Sequence, residues 1–196
     1  MIKNRYISKT SIFIDYSNVF VHGRQNYNIT VAPLKLVPFL IKQFKIKNLV
    51  HSCYFSSGDP NNQGQKNFHI KLKKAGFIVE TVDLIERPVK LYCKNCKQKI
   101  LPTKCPNCNV DVSLPPHKSK RIDVLLAVKL LRMCNTFDEV ILVGGDQDFI
   151  PVIEILRKNE GKKVYIVSFK KPLSNSLRSE VDGIFLLDSH VNKIKR

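Results

Sequence analysis

An α/β fold built on a mostly parallel sheet is what this sequence predicts, on three observations. Short runs dense in Val, Ile, Leu and Phe read as strands buried on both faces. Segments with helical apolar spacing lie between them. The two kinds alternate along the chain, as right-handed strand-helix-strand crossovers require.

The elements follow in order. Residues 11–14 form a buried run that ends in Asp15, with Tyr16, Ser17 and Asn18 behind it. Residues 34–45 carry helical spacing, in which Pro38 marks a late start or a kink. Residues 49–55 are β-rich, 56–63 turn-rich, 65–75 a basic amphipathic helix and 77–82 a strand. A cysteine-bearing stretch, 91–115, then interrupts the alternation. The stripe Val124, Leu125, Ala127, Val128 and Leu131 predicts a helix to about Met133, with Asp123 in its first turn. Residues 139–143 form a strand, Gly144 and Gly145 an open turn, 149–158 a helix and 163–168 a strand. A short helix from about Ser174 and a strand at 184–187 follow, and residues 191–196 are expected to be a frayed basic tail.

A chain of 196 residues buries one good core with a small appendage. Lys and Arg total 33 against 16 acids, a formal charge of +17, which points to a polyanionic partner. The alternative is a general bias toward solvated lysine-rich faces. The polar N-terminus is followed by an apolar run too short for a signal peptide or a membrane span, so a soluble cytoplasmic protein is expected. Hydride transfer is disfavoured because Gly144 and Gly145 lack the third glycine of a dinucleotide loop. A nucleophilic triad is disfavoured because no GxSxG motif is present and Cys134 has no evident histidine partner.

The carboxylates carry the chemistry. The run Ile141, Leu142, Val143 ends in Gly144-Gly145-Asp146-Gln147-Asp148-Phe149, so two acids stand at the carboxyl end of a buried strand. Open α/β sheets place their ligand crevices at such ends. Asp15 stands at the tip of another strand and Asp123 at the start of a helix. Read locally, Asp146 and Asp148 also suit a helix N-cap and its first turn. Were all four to converge, their mutual repulsion would be relieved by protons or by a hard cation, Mg²⁺ or Mn²⁺, able to activate water beside a phosphate.

Cys93-Lys94-Asn95-Cys96 and Cys105-Pro106-Asn107-Cys108 are two CxxC knuckles separated by eight residues. Two such turns complete a closed tetrahedral thiolate site, which predicts structural Zn²⁺; a redox dithiol is the alternative. Cys53 and Cys134 fall outside the pattern and read as core thiols. Lys90, Lys94, Lys97, Lys99 and Lys104 decorate the segment and would suit a phosphate backbone.

With these residues in hand, the chain resembles the NYN branch of the PIN-like nuclease superfamily, close to the LabA-like (DUF88) proteins. Phe13-Ile14-Asp15-Tyr16-Ser17-Asn18 resembles the family's FIDxxN opening, Lys120-Arg121-Ile122-Asp123 its KxxD motif, and Val143 to Phe149 its SGDxDF motif. Gly161-Lys162-Lys163-Val164 and residues 174–187 fit its closing pattern. The resemblance implies a PIN-like three-layer α/β/α sandwich over residues 1–90 and 116–190, with the zinc ribbon inserted at 91–115. It also implies metal-dependent hydrolysis of phosphodiesters, most often of RNA, with DNA left open as the alternative, and Asp15, Asp123, Asp146 and Asp148 as metal ligands. Asn18 would orient Asp15 or touch a phosphate. Lys120, Arg121, Lys170, Lys171 and Arg178 are candidate phosphate contacts. One departure stands out: Lys129 occupies a position where family members often carry a further acid.

Overall fold

A computed structural model describes residues 7–59, 61–83, 85–87, 91–100, 104–105, 107–110, 117–119 and 121–196. β1 (Thr10–Asp15) runs directly into α1 (Tyr16–Tyr27), and α2 (Pro33–Phe44), β2 (Leu49–Gly58), α3 (Gln63–Lys74) and β3 (Ile78–Asp83) follow. Between β3 and the next long helix the described residues hold four short strands, β4 (Ile85–Arg87), β5 (Leu91–Tyr92), β6 (Lys99–Ile100) and β7 (His117–Ser119). The chain then continues through α4 (Ile122–Met133), β8 (Glu139–Val143), α5 (Ile150–Glu154), β9 (Lys163–Ser168), α6 (Asn175–Ser179), β10 (Gly183–Leu186) and α7 (Val191–Ile194).

The main sheet has the order β10-β9-β8-β1-β2-β3, every neighbouring pair parallel. Every residue of β1 is buried, because alternate side chains enter two cores. Phe13, Phe55 and Leu142 pack against Leu126 and Leu130 of α4, Ile153 of α5 and Leu177 of α6. Ile12, Ile14 and Tyr54 pack against Val19 of α1, Leu36 and Leu40 of α2 and Ile194 of α7. Helices thus cover both faces, giving the α/β/α sandwich expected.

Topology then positions the site. From β1 the chain steps outward to β2 and β3, returns over the sheet through α4, and continues on the other side as β8, β9 and β10. Strand order therefore reverses between β1 and β8, and at such a switch point the connections leave a crevice at the carboxyl ends of the strands.

Several local outcomes differ from expectation. A helix begins immediately after Asp15; it buries only Val19 and Gly23, so its apolar signal is weak. β2 runs on through Ser56 and Ser57, which pair in register with Thr81 and Val82. Pro38 lies inside α2 on its exposed side, while Pro33 occupies the start, where its missing N–H is harmless. Gly144 and Gly145 make no turn that needs positive φ; both serve close approach, as shown below. The expected frayed tail is instead docked: Ile194 is fully buried, Ala32 N donates to Ile194 O at 2.8 Å, and Lys195 bridges Val31. No helix among the described residues is long and apolar enough to cross a membrane.

Candidate active site

The switch point is built from the end of β1 and the end of β8. Ile14 pairs with Val143, so Asp15 and Gly144 are the next residues on adjacent strands. A Cβ added at Gly144 would stand 3.4 Å from the Asp15 Cβ, so glycine leaves the carboxylate its room. Asp15 is 2% exposed, and its Oδ1 caps α1 by accepting from Asn18 N at 3.1 Å. Asn18 thus orients Asp15, but through its backbone.

Two residues beyond Gly144, Asp146 has extended backbone and caps the short turn Gln147–Phe149, its Oδ1 accepting from Asp148 N at 3.1 Å. The helix-cap reading of Asp146 is therefore correct as far as it goes. It does not exclude a ligand role, because a carboxylate offers about four acceptor sites. Asp146 is half-buried and Asp148 exposed. Phe149 is 1% exposed in the core, which fixes the turn and rules out base stacking on its ring. Asp123, half-buried, lies in the first turn of α4, a helix that packs against β1, β2 and the 147–149 turn.

The backbone thus brings the ends of β1 and β8 together and sets the start of α4 nearby. Among the described residues, however, no three His, Cys, Asp or Glu groups stand close enough to hold a metal ion. The donor set, oxygen throughout, fits a hard divalent cation.

Lys129 has its own acid: its Nζ lies 2.7 Å from Glu80 Oε1, across from α4 to β3. Of the candidate phosphate contacts, Arg121, Lys170, Lys171 and Arg178 are exposed, whereas Lys120, like Lys90, lies outside the described residues. Lys170 and Lys171 lie two and three residues past the end of β9, at the same carboxyl-end edge of the sheet as Asp15. Sequence reading missed Ser168, the last residue of β9. It is buried, its Oγ has no hydrogen-bond partner among the described residues, and a Cβ at Gly145 would lie 2.6 Å from that Oγ.

In the insertion, β4 pairs antiparallel with β7, and β5 with β6. The two knuckles are copies of one turn. Lys97 N donates to Cys93 O and Asn109 N to Cys105 O, with Lys97 and Asn109 both left-handed at φ 60 and 55. Backbone N–H groups of Cys96 and Asn95 hold the Cys93 thiol below the ordinary range, and those of Cys108 and Asn107 do the same for Cys105. All four cysteines are unbridged. Cys53 is a core thiol, pushed up to about 12 chiefly by burial.

The sequence matches the NYN domain over residues 9–188. It is 23% identical over 192 residues to the low amplitude and bright protein LabA of Synechococcus elongatus, covering 96% of this chain and 90% of that protein. Among solved structures, the protein of unknown function VPA0982 from Vibrio parahaemolyticus superposes with a TM-score of 0.70 at 19% identity over 100% of both chains. At that identity the likeness speaks for the fold alone.

Proposed function

The chain belongs to the NYN domain family of PIN-like nucleases, and from that premise we propose that it hydrolyses RNA phosphodiester bonds with Mg²⁺ or Mn²⁺ held by Asp15, Asp123, Asp146 and Asp148. The observation that carries the reading is the reversal of strand order between β1 and β8, with a carboxylate at or just beyond each strand end. The bound ion supplies an activated water and neutralises charge at the phosphate. The chain does the positioning. Asp15 is held by the start of α1, Asp146 by its own turn, and Phe149 anchors that turn in the core. Lys170, Lys171 and Arg121 supply positive charge for the backbone of the strand. No side chain is needed as a covalent nucleophile.

The twin knuckles support a second part of the proposal, a structural Zn²⁺ held by Cys93, Cys96, Cys105 and Cys108. Lys94, Lys97 and Lys104 are exposed on that insertion and suit a phosphate backbone. A runner-up reading, a nucleic-acid-binding module with feeble hydrolysis, is favoured by one observation: Lys129, paired with Glu80, stands where relatives often carry an acid.

The test is incubation with labelled single-stranded and folded RNAs in Mn²⁺, Mg²⁺ or chelator, beside Asp146→Asn. Cleavage should need the ion and fall at least about a hundredfold in the variant, with melting unchanged. Cleavage that persists in the variant removes the proposed centre; ion-independent binding without cleavage selects the runner-up.

A further inference from the structure

On the sheet face opposite α4, a cavity of about 790 Å³ opens between α1, the start of α2, the end of β2 and α3. Four rings line it. Tyr16 lies 5.6 Å from Phe20, 4.9 Å from Tyr54 and 6.5 Å from Phe68, centroid to centroid. Tyr16, Phe20 and Arg24 recur every four residues on α1, so they form one stripe along the wall. The Arg24 guanidinium carbon sits 5.8 Å from the Phe20 centroid, at the mouth. Lys35, Lys71 and Arg196 add three more cations, Ser17 and Ser57 supply hydroxyls 3.4 Å apart, and no Asp or Glu is among the described lining residues. The volume lies within the range of small-molecule sites.

Its position gives it meaning. Tyr16 follows Asp15 directly, and Ser56 follows Phe55, the register partner of Asp15 on β2. Cavity and carboxylate therefore share the β1-α1 junction. An aromatic floor under a rim of Arg and Lys without Asp or Glu complements a flat π-system attached to phosphate. We propose that this cavity receives one unstacked nucleobase of a single strand, with a flanking phosphate on Arg24, next to the proposed point of cleavage. A paired base cannot enter without leaving its duplex, so the cavity selects unpaired RNA. This rests on the nuclease reading only for the cleavage that follows binding.

The experiment is fluorescence anisotropy without added divalent ion, using a labelled single strand of about 12 nucleotides, the same strand in a duplex, and the same strand with abasic sites. Wild type, Phe20→Ala and Arg24→Gln are compared, with melting as the fold control. The expected result is at least about tenfold tighter binding of the intact single strand than of duplex or abasic strand. Phe20→Ala should lose about tenfold, and Arg24→Gln should lower the salt dependence by about one ion. Equal binding of intact and abasic strands by the wild type overturns the proposal, even if a variant fails to fold. So does wild-type binding by both variants, whichever partner the cavity then serves. If base dependence holds but RNA is never cut, the cavity stands and hydrolysis falls; if RNA is cut and neither bases nor Phe20 matter, the reverse holds.

Discussion

Gly145 shows how tightly the crevice is set at the residue scale. A methyl there would meet Ser168 Oγ at 2.6 Å and the Pro172 carbonyl carbon and oxygen at 3.1 Å, and backbone cannot step aside as a flexible side-chain tip can. Gly145→Ala should therefore cost about 1–3 kcal/mol in urea denaturation and displace the Asp146 turn. Ser168→Ala should behave oppositely. Its Oγ is buried and unpartnered, so removal should leave stability unchanged or raise it by up to about 1 kcal/mol, checked by the same measurement. The double variant should recover only part of the Gly145→Ala loss, because Pro172 stays in place. Neither requirement was legible in sequence: paired glycines read as a turn, when their purpose is the space beside Asp15 and Ser168. The acid motifs were legible from three carboxylate-bearing stretches in order, although Asp15 and Asp146 each also cap the turn that follows them. Whether their side chains meet was not.

At the scale of elements, the strands of the later half were the easiest to read. The runs 139–143 and 163–168 match β8 and β9 to the residue because apolar stretches there stop abruptly at polar or glycine positions. α1 was missed because its buried side is so small, and the extension of β2 because Ser56 and Ser57 pair by backbone alone. The order of strands could not be read from periodicity, so the meeting of β1 and β8 had to await the structure. One clamp fastens the helical turn Ile155–Asn159 that continues α5. Arg157 Nε and Nη2 each donate to Asp182 at 3.0 Å, its Nη1 donates to Glu180 O, and Val164 N donates to Asp182 Oδ2 at 2.8 Å. Partial burial alone would raise the Asp182 carboxyl, but Arg157 and the Val164 N–H outweigh it and hold it below the usual range. With the folded value depressed, its contribution is full above about pH 4 and fades as pH falls through the folded value. Asp182→Asn should thus cost about 1–2 kcal/mol near neutrality and progressively less as pH falls through the folded value, read from denaturation midpoints across an acid series.

At the scale of the whole molecule, the charge of +17 sets the long-range behaviour. Affinity for RNA should fall steeply and linearly on a log-log plot against salt, and a flat plot would show that the positive surface is mere composition. Changing Cys93, Cys96, Cys105 and Cys108 to Ser together should abolish bound zinc, measured by metal analysis, and loosen the insertion while the sheet melts as before. The α/β class followed from the alternation of strand and helix runs. The antiparallel base of that insertion was not foreseen, because β4 and β7 are only three residues each.

That base makes the insertion a removable cassette. Arg87 and His117 stand opposite each other where the chain leaves and returns, so its two ends are already neighbours. A two-residue Asn-Gly hairpin should bridge them without disturbing the sheet. Trimmed this way, the protein would keep its crevice and shed its knuckles, so the part each plays on RNA could be measured separately. Other loops could be grafted at the same gate to redirect what the crevice meets.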